Sequence, residues 1–163
     1  MTISYFLGTA LVLALAGCSP TNSRVVTRFN ADAALISNIP VDPLHWPVIT
    51  SGVDPRNSTM FTVFGNDAAI RYARTNTARD YPEGSVLALT TWHQQEDSRW
   101  FGARIPARVM SVEFVEVGVA ADGMPSTLYR AYEGSPLKDT ASIESLSDRR
   151  TKYILSLRAA VMP

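Results

Sequence analysis

The sequence predicts an α+β fold in which one antiparallel β-sheet of about five strands carries a few short helices on one face. Short segments rich in β-branched and aromatic residues recur between turn residues, as antiparallel strands do. Short segments with apolar residues at helical spacing lie between them. With 46% apolar and 18% charged residues, the composition is typical of a folded domain. Such a mixture of elements buries its apolar surface by packing helices on a sheet.

The first predicted elements occupy the N-terminal half. A short helix is predicted over residues 30–36, with Asn30 as its N-cap, and it ends before Pro40. A proline-bounded irregular segment covers residues 41–47. Residues 59–64 read T-M-F-T-V-F, which predicts a strand because β-branched and aromatic residues dominate.

A helix and a buried strand are predicted next. Asn66 or Asp67 can cap a helix that runs to about residue 74 and has Ala69, Ile70 and Ala73 on its apolar side. A polar loop then leads to Gly84, which is expected to adopt a turn conformation. Residues 85–92 form a near-continuous apolar run, as expected of a strand buried on both faces.

Four elements are predicted in the C-terminal half: strands at 108–118 and 126–132, a short helix at 138–146 and a closing strand at 151–160. Met110, Val112 and Phe114 are predicted to share one face of the first of these strands. A turn signal, A-D-G-M-P, separates the first two strands and predicts a hairpin. The closing strand is predicted from the alternation of Tyr153, Leu155, Leu157 and Ala159.

The charge pattern argues against one class of partner. Fifteen basic residues balance fifteen acidic ones, so the chain lacks the basic surplus of nucleic-acid-binding proteins. No run of lysine and arginine is present that could hold an acidic membrane surface by charge alone. The sequence therefore predicts no nucleic-acid partner.

The N-terminus has the pattern of an export signal. The apolar run over residues 5–16 is shorter than the roughly 20 residues that a membrane span needs, and it fits the core of a signal peptide. The following Leu15-Ala16-Gly17-Cys18 resembles the bacterial lipobox, in which the cysteine thiol is lipidated and the cysteine becomes the mature N-terminus. Palmitate is an expected component of that lipid. The alternative is an ordinary signal peptide that happens to contain Cys18. Ser19 resembles the outer-membrane default, which predicts an outer-membrane lipoprotein facing the periplasm of a Gram-negative bacterium.

Three segments follow from this interpretation. Residues 1–17 are the predicted signal peptide. Residues 18–40 comprise the lipidated N-terminus, a polar tether and the short helix, and residues 41–163 form the domain. Cys18 is the only cysteine in this sequence, so after its lipidation no thiol is left for a disulfide, a Cys-x-x-Cys-His haem attachment or a cysteine metal site.

Four stretches in the domain carry a family resemblance. They read W-P-V-I from Trp46, T-V-F-G-N-D-A-A from Thr62, Y-P-E-G-S-V-L-A from Tyr81 and S-V-E-F-V from Ser111. In order and spacing they resemble the cytochrome P-460 family, which includes the beta-type cytochromes c-prime. The resemblance implies a sheet-rich periplasmic domain, often dimeric, so a homodimer is one expected state. It also implies that haem-bearing members oxidise hydroxylamine or bind nitric oxide.

The haem-attachment residues of the family are missing from the corresponding positions. Haem-bearing members attach haem through Cys-x-x-Cys-His near the C-terminus, with the histidine as iron ligand, whereas residues 145–157 here contain neither cysteine nor histidine. Some members cross-link a strand lysine to the porphyrin, and that lysine aligns with Leu89. We therefore expect no cofactor, and haem could bind only non-covalently.

Few residues are candidates for a ligand site. The two histidines, His45 and His93, are the candidate axial or ligand contacts, and Trp92 lies beside His93. The alternatives without a ligand are that His93 is a solvated loop residue and that His45 only packs against its neighbours. Two such distant histidines make no zinc motif, which needs three or four ligands at set spacings, so no metal site is predicted.

A second group of candidates surrounds Trp100. Arg99, Arg104 and Arg108 could converge on an anion, or they could be exposed hairpin positions. Trp100 and Phe101 would then belong either to the core or to an exposed contact patch. No catalytic constellation such as G-x-S-x-G is present, so no catalytic residue is assigned.

Two functions are compatible with these features. The preferred prediction is a lipid-anchored, non-catalytic module that binds a small ligand, contacts an envelope protein or has a structural role. The alternative is an enzyme or a sensor of the nitric-oxide or hydroxylamine type that holds haem non-covalently through His93 or His45. A Soret band would distinguish the second from the first.

Overall fold

The computed structural model describes residues 30–35, 39–75, 78, 80–140 and 144–160. The predicted signal peptide, Cys18 and the polar tether lie outside the described residues. No described helix is both long and apolar enough to cross a membrane.

Six strands form one antiparallel sheet in which sequence neighbours are also spatial neighbours. The α+β prediction is confirmed, with six strands in the described part of the chain where about five were expected. The strands are β1 Val48–Asp54, β2 Thr59–Gly65, β3 Val86–Glu96, β4 Arg104–Val119, β5 Pro125–Glu133 and β6 Lys138–Thr140.

Each face of the sheet carries its own apolar core. On the first face, Leu87 and Leu89 of β3 belong to a buried cluster with residues of α1 (Asp67–Thr75) and of α2 (Glu144–Ser156). On the second face, Ala88 and Trp92 of the same strand join a cluster that is covered by the N-terminal segment. Because successive strand residues point to opposite faces, the continuous apolar run in β3 follows from burial on both sides, as predicted.

Asn66 caps α1 and also connects it to the sheet. Its side-chain oxygen accepts the backbone N–H groups of Ala69, at 3.0 Å, and of Val86, at 3.1 Å. Its amide nitrogen donates to the carbonyl of Gly84 at 2.8 Å. Gly84 has a φ of +79°, which glycine adopts without strain. The predicted cap and turn are confirmed, and one side chain holds both.

The last two predicted elements, the helix at 138–146 and the strand at 151–160, differ from the structure. Residues 138–140 are the strand β6 rather than the start of a helix, and residues 151–156 belong to the helix α2 rather than to a strand. Thr151 and Ile154, three residues apart, are buried, whereas Tyr153 is 40% exposed. The alternation of Tyr153, Leu155 and Leu157 is therefore incidental, and the helical spacing determines which residues face the sheet.

A β-bulge changes the predicted face of β4. Thr91 pairs with Ser111 but Trp92 pairs with Val109, so Met110 is the extra residue. Val109 therefore joins Val112 and Phe114 in the core of the second face, where Met110 was expected. A bulge shifts the alternation by one residue, and it does so without a local sequence signal here.

Two N-terminal elements also differ from the prediction. The helix expected over residues 30–36 is a single 3₁₀ turn, Ala31–Ala33, among the described residues, and Asn30 does not cap it with its side chain. The strand β1 was not predicted, because its Ser51-Gly52 pair is typical of a turn. Gly52 lies against the ring of Phe61, where a Cβ atom would come within 2.5 Å of Cζ. A side chain at position 52 would therefore displace the Phe61 ring.

Candidate ligand-binding cleft

The N-terminal segment crosses the second face of the sheet and is held there by two side-chain hydrogen bonds. The Asn30 amide donates to the carbonyl of Pro106 at 2.5 Å, and the indole N–H of Trp92 donates to the carbonyl of Ala33 at 3.0 Å. The segment thus begins near the start of β4 and continues along the sheet towards the other end of that strand.

A short 3₁₀ turn, Pro43–His45, then directs Trp46 onto the same face. The Asp42 carboxylate accepts the N–H of Leu44 at 2.9 Å, and the N–H of Trp46 donates to the carbonyl of Pro43 at 2.9 Å. Proline at the first turn position has the φ that the turn requires. The proline-bounded segment that was expected to be irregular therefore contains a hydrogen-bonded 3₁₀ turn, and this corner of the chain positions the side chain of Trp46.

Three aromatic rings meet below this corner. The centroids of Trp46 and Phe114 lie 6.3 Å apart at 80°, and those of Phe114 and Tyr132 lie 6.0 Å apart at 85°. Both contacts are edge-to-face, the arrangement that aromatic pairs favour. The rings come from the N-terminal segment, β4 and β5, which are separated in sequence and are joined only by the fold.

A small apolar cleft of about 220 Å³ opens beside these rings. Its walls are Pro40, Val41, Trp46, Val86, Phe114, Glu116, Arg130 and Tyr132. Arg130 Nη2 lies 3.6 Å from Glu116 Oε1, and the two side chains are 44% and 40% exposed. The cleft therefore combines aromatic and aliphatic walls with one ion pair at its mouth.

The three predicted ligand-site residues are not brought together. His45 is exposed, with Nδ1 3.4 Å from Asp42 Oδ2. His93 is exposed and lines a separate polar cleft of about 410 Å³ with Arg108, Ser111 and Glu133. Trp92 is buried and holds the N-terminal segment. None of the three is among the described residues that line the apolar cleft.

The arginines of the β3–β4 hairpin are exposed. Arg104 Nη2 lies 3.4 Å from Glu96 Oε1, and Arg108 lines the polar cleft of His93. Trp100 and Phe101 are exposed and do not belong to the core. In the described part of the chain, no group of three or more histidine, cysteine, aspartate or glutamate side chains could hold a metal ion.

A buried charged cluster on the opposite face was not found from the sequence. Glu113 on β4, 5% exposed, accepts two hydrogen bonds from Arg150 of α2, from Nε at 2.8 Å and from Nη2 at 2.5 Å. The hydroxyl of Tyr129 also donates to Glu113. The guanidinium carbon of Arg150 lies 4.9 Å from the ring centroid of Tyr153. The two Arg–Glu bonds fix the position of α2 on the sheet.

The protonation of this cluster follows from its surroundings. Burial, reinforced by the hydrogen bond to Glu113, raises the pKa of Tyr129 well above its usual range. The hydrogen bond to Glu113 likewise raises the pKa of Arg150. The phenol therefore remains a donor and the guanidinium remains charged, which is the state that the three hydrogen bonds require.

The fold and this cleft define an α+β protein built on a single antiparallel meander, with helices on one face and a small apolar cleft on the other. Residues 42–122 match the model of the family described as Cytochrome P460. This stretch thus matches a cytochrome P460 family domain, and the resemblance inferred from the sequence is confirmed. A search of curated proteins found no match to the chain. Of the residues lining the cleft, Trp46, Val86, Phe114 and Glu116 lie within the matched range.

The residues present do not fit a covalently attached haem. Leu89, at the position aligned with the cross-linking lysine, is 1% exposed and lies in the same buried cluster as Val115 and Ile154. The segment aligned with the haem-attachment motif is largely the helix α2, whose Arg150 is bonded to Glu113. Side chains of this protein therefore occupy both positions, and neither position offers a thiol or an imidazole.

Proposed function

We propose that this chain is a lipid-anchored protein of the cell envelope whose cytochrome P460 domain binds a small aromatic or apolar molecule without catalysing a reaction on it. The apolar cleft beside Trp46, Phe114 and Tyr132 carries this proposal. An apolar pocket with a few polar groups at its mouth is the usual form of a small-molecule site.

The size of the cleft limits the ligand. Pockets for drug-sized molecules have volumes of about 300–1,000 Å³, and this cleft has about 220 Å³. An engineered apolar cavity of about 150 Å³ in another protein binds benzene. A single aromatic ring with one small substituent therefore matches the space, whereas a porphyrin does not.

The polar groups at the mouth favour binding over catalysis. Glu116 and Arg130 pair with each other, and no histidine, serine or cysteine is among the described residues that line the cleft. General acid–base chemistry needs a positioned group with a matched pKa. The paired carboxylate and guanidinium can instead accept from and donate to one hydroxyl group of a ligand.

Phenol is the probe that tests this site. We expect isothermal titration to detect one-to-one binding of phenol to the wild-type protein. Val41→Trp should weaken that binding at least about tenfold, which corresponds to about 1.4 kcal/mol. Val41 lines the cleft, so the larger tryptophan side chain would fill it, and phenol would have to displace that side chain in order to bind. Val53→Trp is the matched control, because Val53 is an exposed valine on β1 outside the cleft, and it should bind phenol like the wild type.

Two results would contradict the proposed site. Phenol affinity that is equal in Val41→Trp and in the wild type would place binding elsewhere. A one-to-one haemin complex with a sharp Soret band that disappears in His93→Ala or in His45→Ala would establish the non-covalent haem alternative instead.

The lipid anchor is tested at Cys18. Because Cys18 follows Leu15-Ala16-Gly17, Cys18→Ala should abolish acylation and lipoprotein-type processing. Metabolic labelling with a clickable fatty acid should mark the wild-type protein and leave the variant unlabelled. Cys18→Ala protein that still carries the label would refute the anchor at this residue.

A further inference from the structure

The turn between β3 and β4 presents two large apolar side chains to solvent. In this turn, residues 97–103, which we call the β3–β4 tip, Trp100 is 70% exposed and Phe101 is fully exposed. Isolated exposed apolar residues are common, but here a tryptophan and a phenylalanine that are adjacent in sequence are both exposed at the end of a long hairpin.

The shape of the β3–β4 tip does not depend on these two rings. The N–H of Asp97 donates to the carbonyl of Ala103, and the N–H of Ala103 donates to the carbonyl of Trp100, both at 3.0 Å. The Asp97 carboxylate accepts the N–H of Arg99 at 2.8 Å, and Gly102 has a φ of +78°. Because backbone bonds and a glycine hold the turn, the rings are free to contact something outside the domain.

The N-terminal segment enters the domain at the same end of the sheet. Asn30 is bonded to Pro106, which lies near the beginning of β4 and pairs with Gln94 near the end of β3. From there the chain follows β4 until β1 begins, where Val48 pairs with Phe64 at the opposite end of the sheet. The first described residue therefore lies beside the hairpin that carries Trp100.

The chain between Cys18 and Asn30 is long enough to bring the tip to a membrane. These residues are twelve positions apart, so the segment spans at most about 40 Å when fully extended. Phe101 is five positions from Pro106, which is at most about 18 Å. An anchor at Cys18 can thus lie in the same surface that the β3–β4 tip touches.

The chemistry of the tip matches a lipid interface. Tryptophan is enriched at membrane–water interfaces, and arginine can extend its charged end to the head groups. Over residues 96–108, Arg99, Arg104 and Arg108 oppose Glu96 and Asp97, so the net charge is only +1. The apolar rings, and not charge attraction, would therefore provide most of the contact.

We propose that the β3–β4 tip inserts Trp100 and Phe101 into the interface of the phospholipid bilayer in which Cys18 is anchored. This inference rests on the proposed lipid anchor. A lipid chain fixes the protein to the bilayer but leaves its orientation free, and a second apolar contact restricts that freedom. The β3–β4 tip would then contact the bilayer, and the apolar cleft would lie in the half of the sheet that is farther from the membrane.

Quenching of tryptophan fluorescence by brominated lipid tests the insertion. The acylated full-length mature protein is reconstituted into vesicles of phosphatidylethanolamine and phosphatidylglycerol, with or without brominated acyl chains. We expect brominated lipid to quench a clear fraction of the wild-type emission. Trp100→Phe should lose that quenching, because the two remaining tryptophans are the buried Trp92 and the half-buried Trp46.

A matched control places tryptophan at the other end of the sheet. Met124 is exposed in the turn between β4 and β5, at the opposite end of β4 from the β3–β4 tip. Trp100→Phe combined with Met124→Trp should therefore remain unquenched. Both replacements lie at exposed turn positions, so we expect neither to affect folding.

The outcomes separate this inference from the anchor on which it rests. Fatty-acid label on the protein together with unquenched Trp100 overturns the insertion alone, and so does equal quenching of the Met124→Trp control. Trp100 that is unquenched by brominated lipid but shielded from aqueous iodide also overturns it and assigns the tip to a protein partner. Absence of the fatty-acid label overturns the anchor and the insertion together.

Discussion

Replacing Leu87 with aspartate is expected to unfold the domain. Leu87 is fully buried at the centre of β3, in the cluster that includes residues of α1 and α2. Removing the buried leucine side chain costs about 2–5 kcal/mol, and burying an unpaired carboxylate costs several kcal/mol more. The total is comparable to the whole stability of a typical domain, about 5–15 kcal/mol.

Thermal unfolding followed by circular dichroism measures this effect. Leu128→Asp is the matched control. Leu128 lies on β5, which pairs with β4, and its side chain is 48% exposed. The control should unfold close to the wild-type temperature, whereas Leu87→Asp should show no cooperative transition. A Leu87→Asp protein that unfolds near the wild-type temperature would remove β3 from the core.

Replacing Glu113 with glutamine is expected to destabilise the domain by about 3 kcal/mol, because breaking a buried ion pair leaves its partner uncompensated. Glutamine keeps the size of the side chain and one acceptor, but it loses the charge that Arg150 pairs with through two hydrogen bonds. Since these bonds connect α2 to β4, we expect the helix to lose protection from hydrogen exchange most strongly.

The same strand offers a matched control for Glu113. Glu116 also pairs with an arginine, Arg130, but at 3.6 Å and with both side chains substantially exposed. Exposed ion pairs contribute about 0–1 kcal/mol to stability. Glu116→Gln should therefore lower the free energy of unfolding by no more than about 1 kcal/mol. Denaturant unfolding measures both variants, and equal losses in the two would refute a special role for the buried cluster.

The central elements could be predicted because their signals are local. The β-branched and aromatic run of β2 and the apolar run of β3 specify strands by themselves. Asn66 precedes the helical spacing of Ala69, Ile70 and Ala73, so the start of α1 can be located within a residue or two. The same stretches carry the family resemblance, which the match over residues 42–122 confirms.

The closing helix α2 could not be predicted because its decisive contact is distant in sequence. Arg150 and Glu113 are 37 residues apart, and neither stretch indicates that the other lies beside it. Without that contact, the alternation of Tyr153 and Leu155 predicts a strand. With it, the helical face containing Arg150, Thr151 and Ile154 covers the sheet. Tertiary contacts commonly override such weak local preferences.

The sequence by itself determined the family resemblance of residues 42–122, the central strands and the capped helix, because each depends on residues that are close along the chain. Only the tertiary structure decided the sites. It separated His45 from His93, enclosed Leu89, and joined Trp46, Phe114 and Tyr132 around one cleft. It also placed Asn30 beside the hairpin of Trp100. These relations depend on strand register and on a β-bulge, which long-range backbone pairing sets and which no local pattern of residues records.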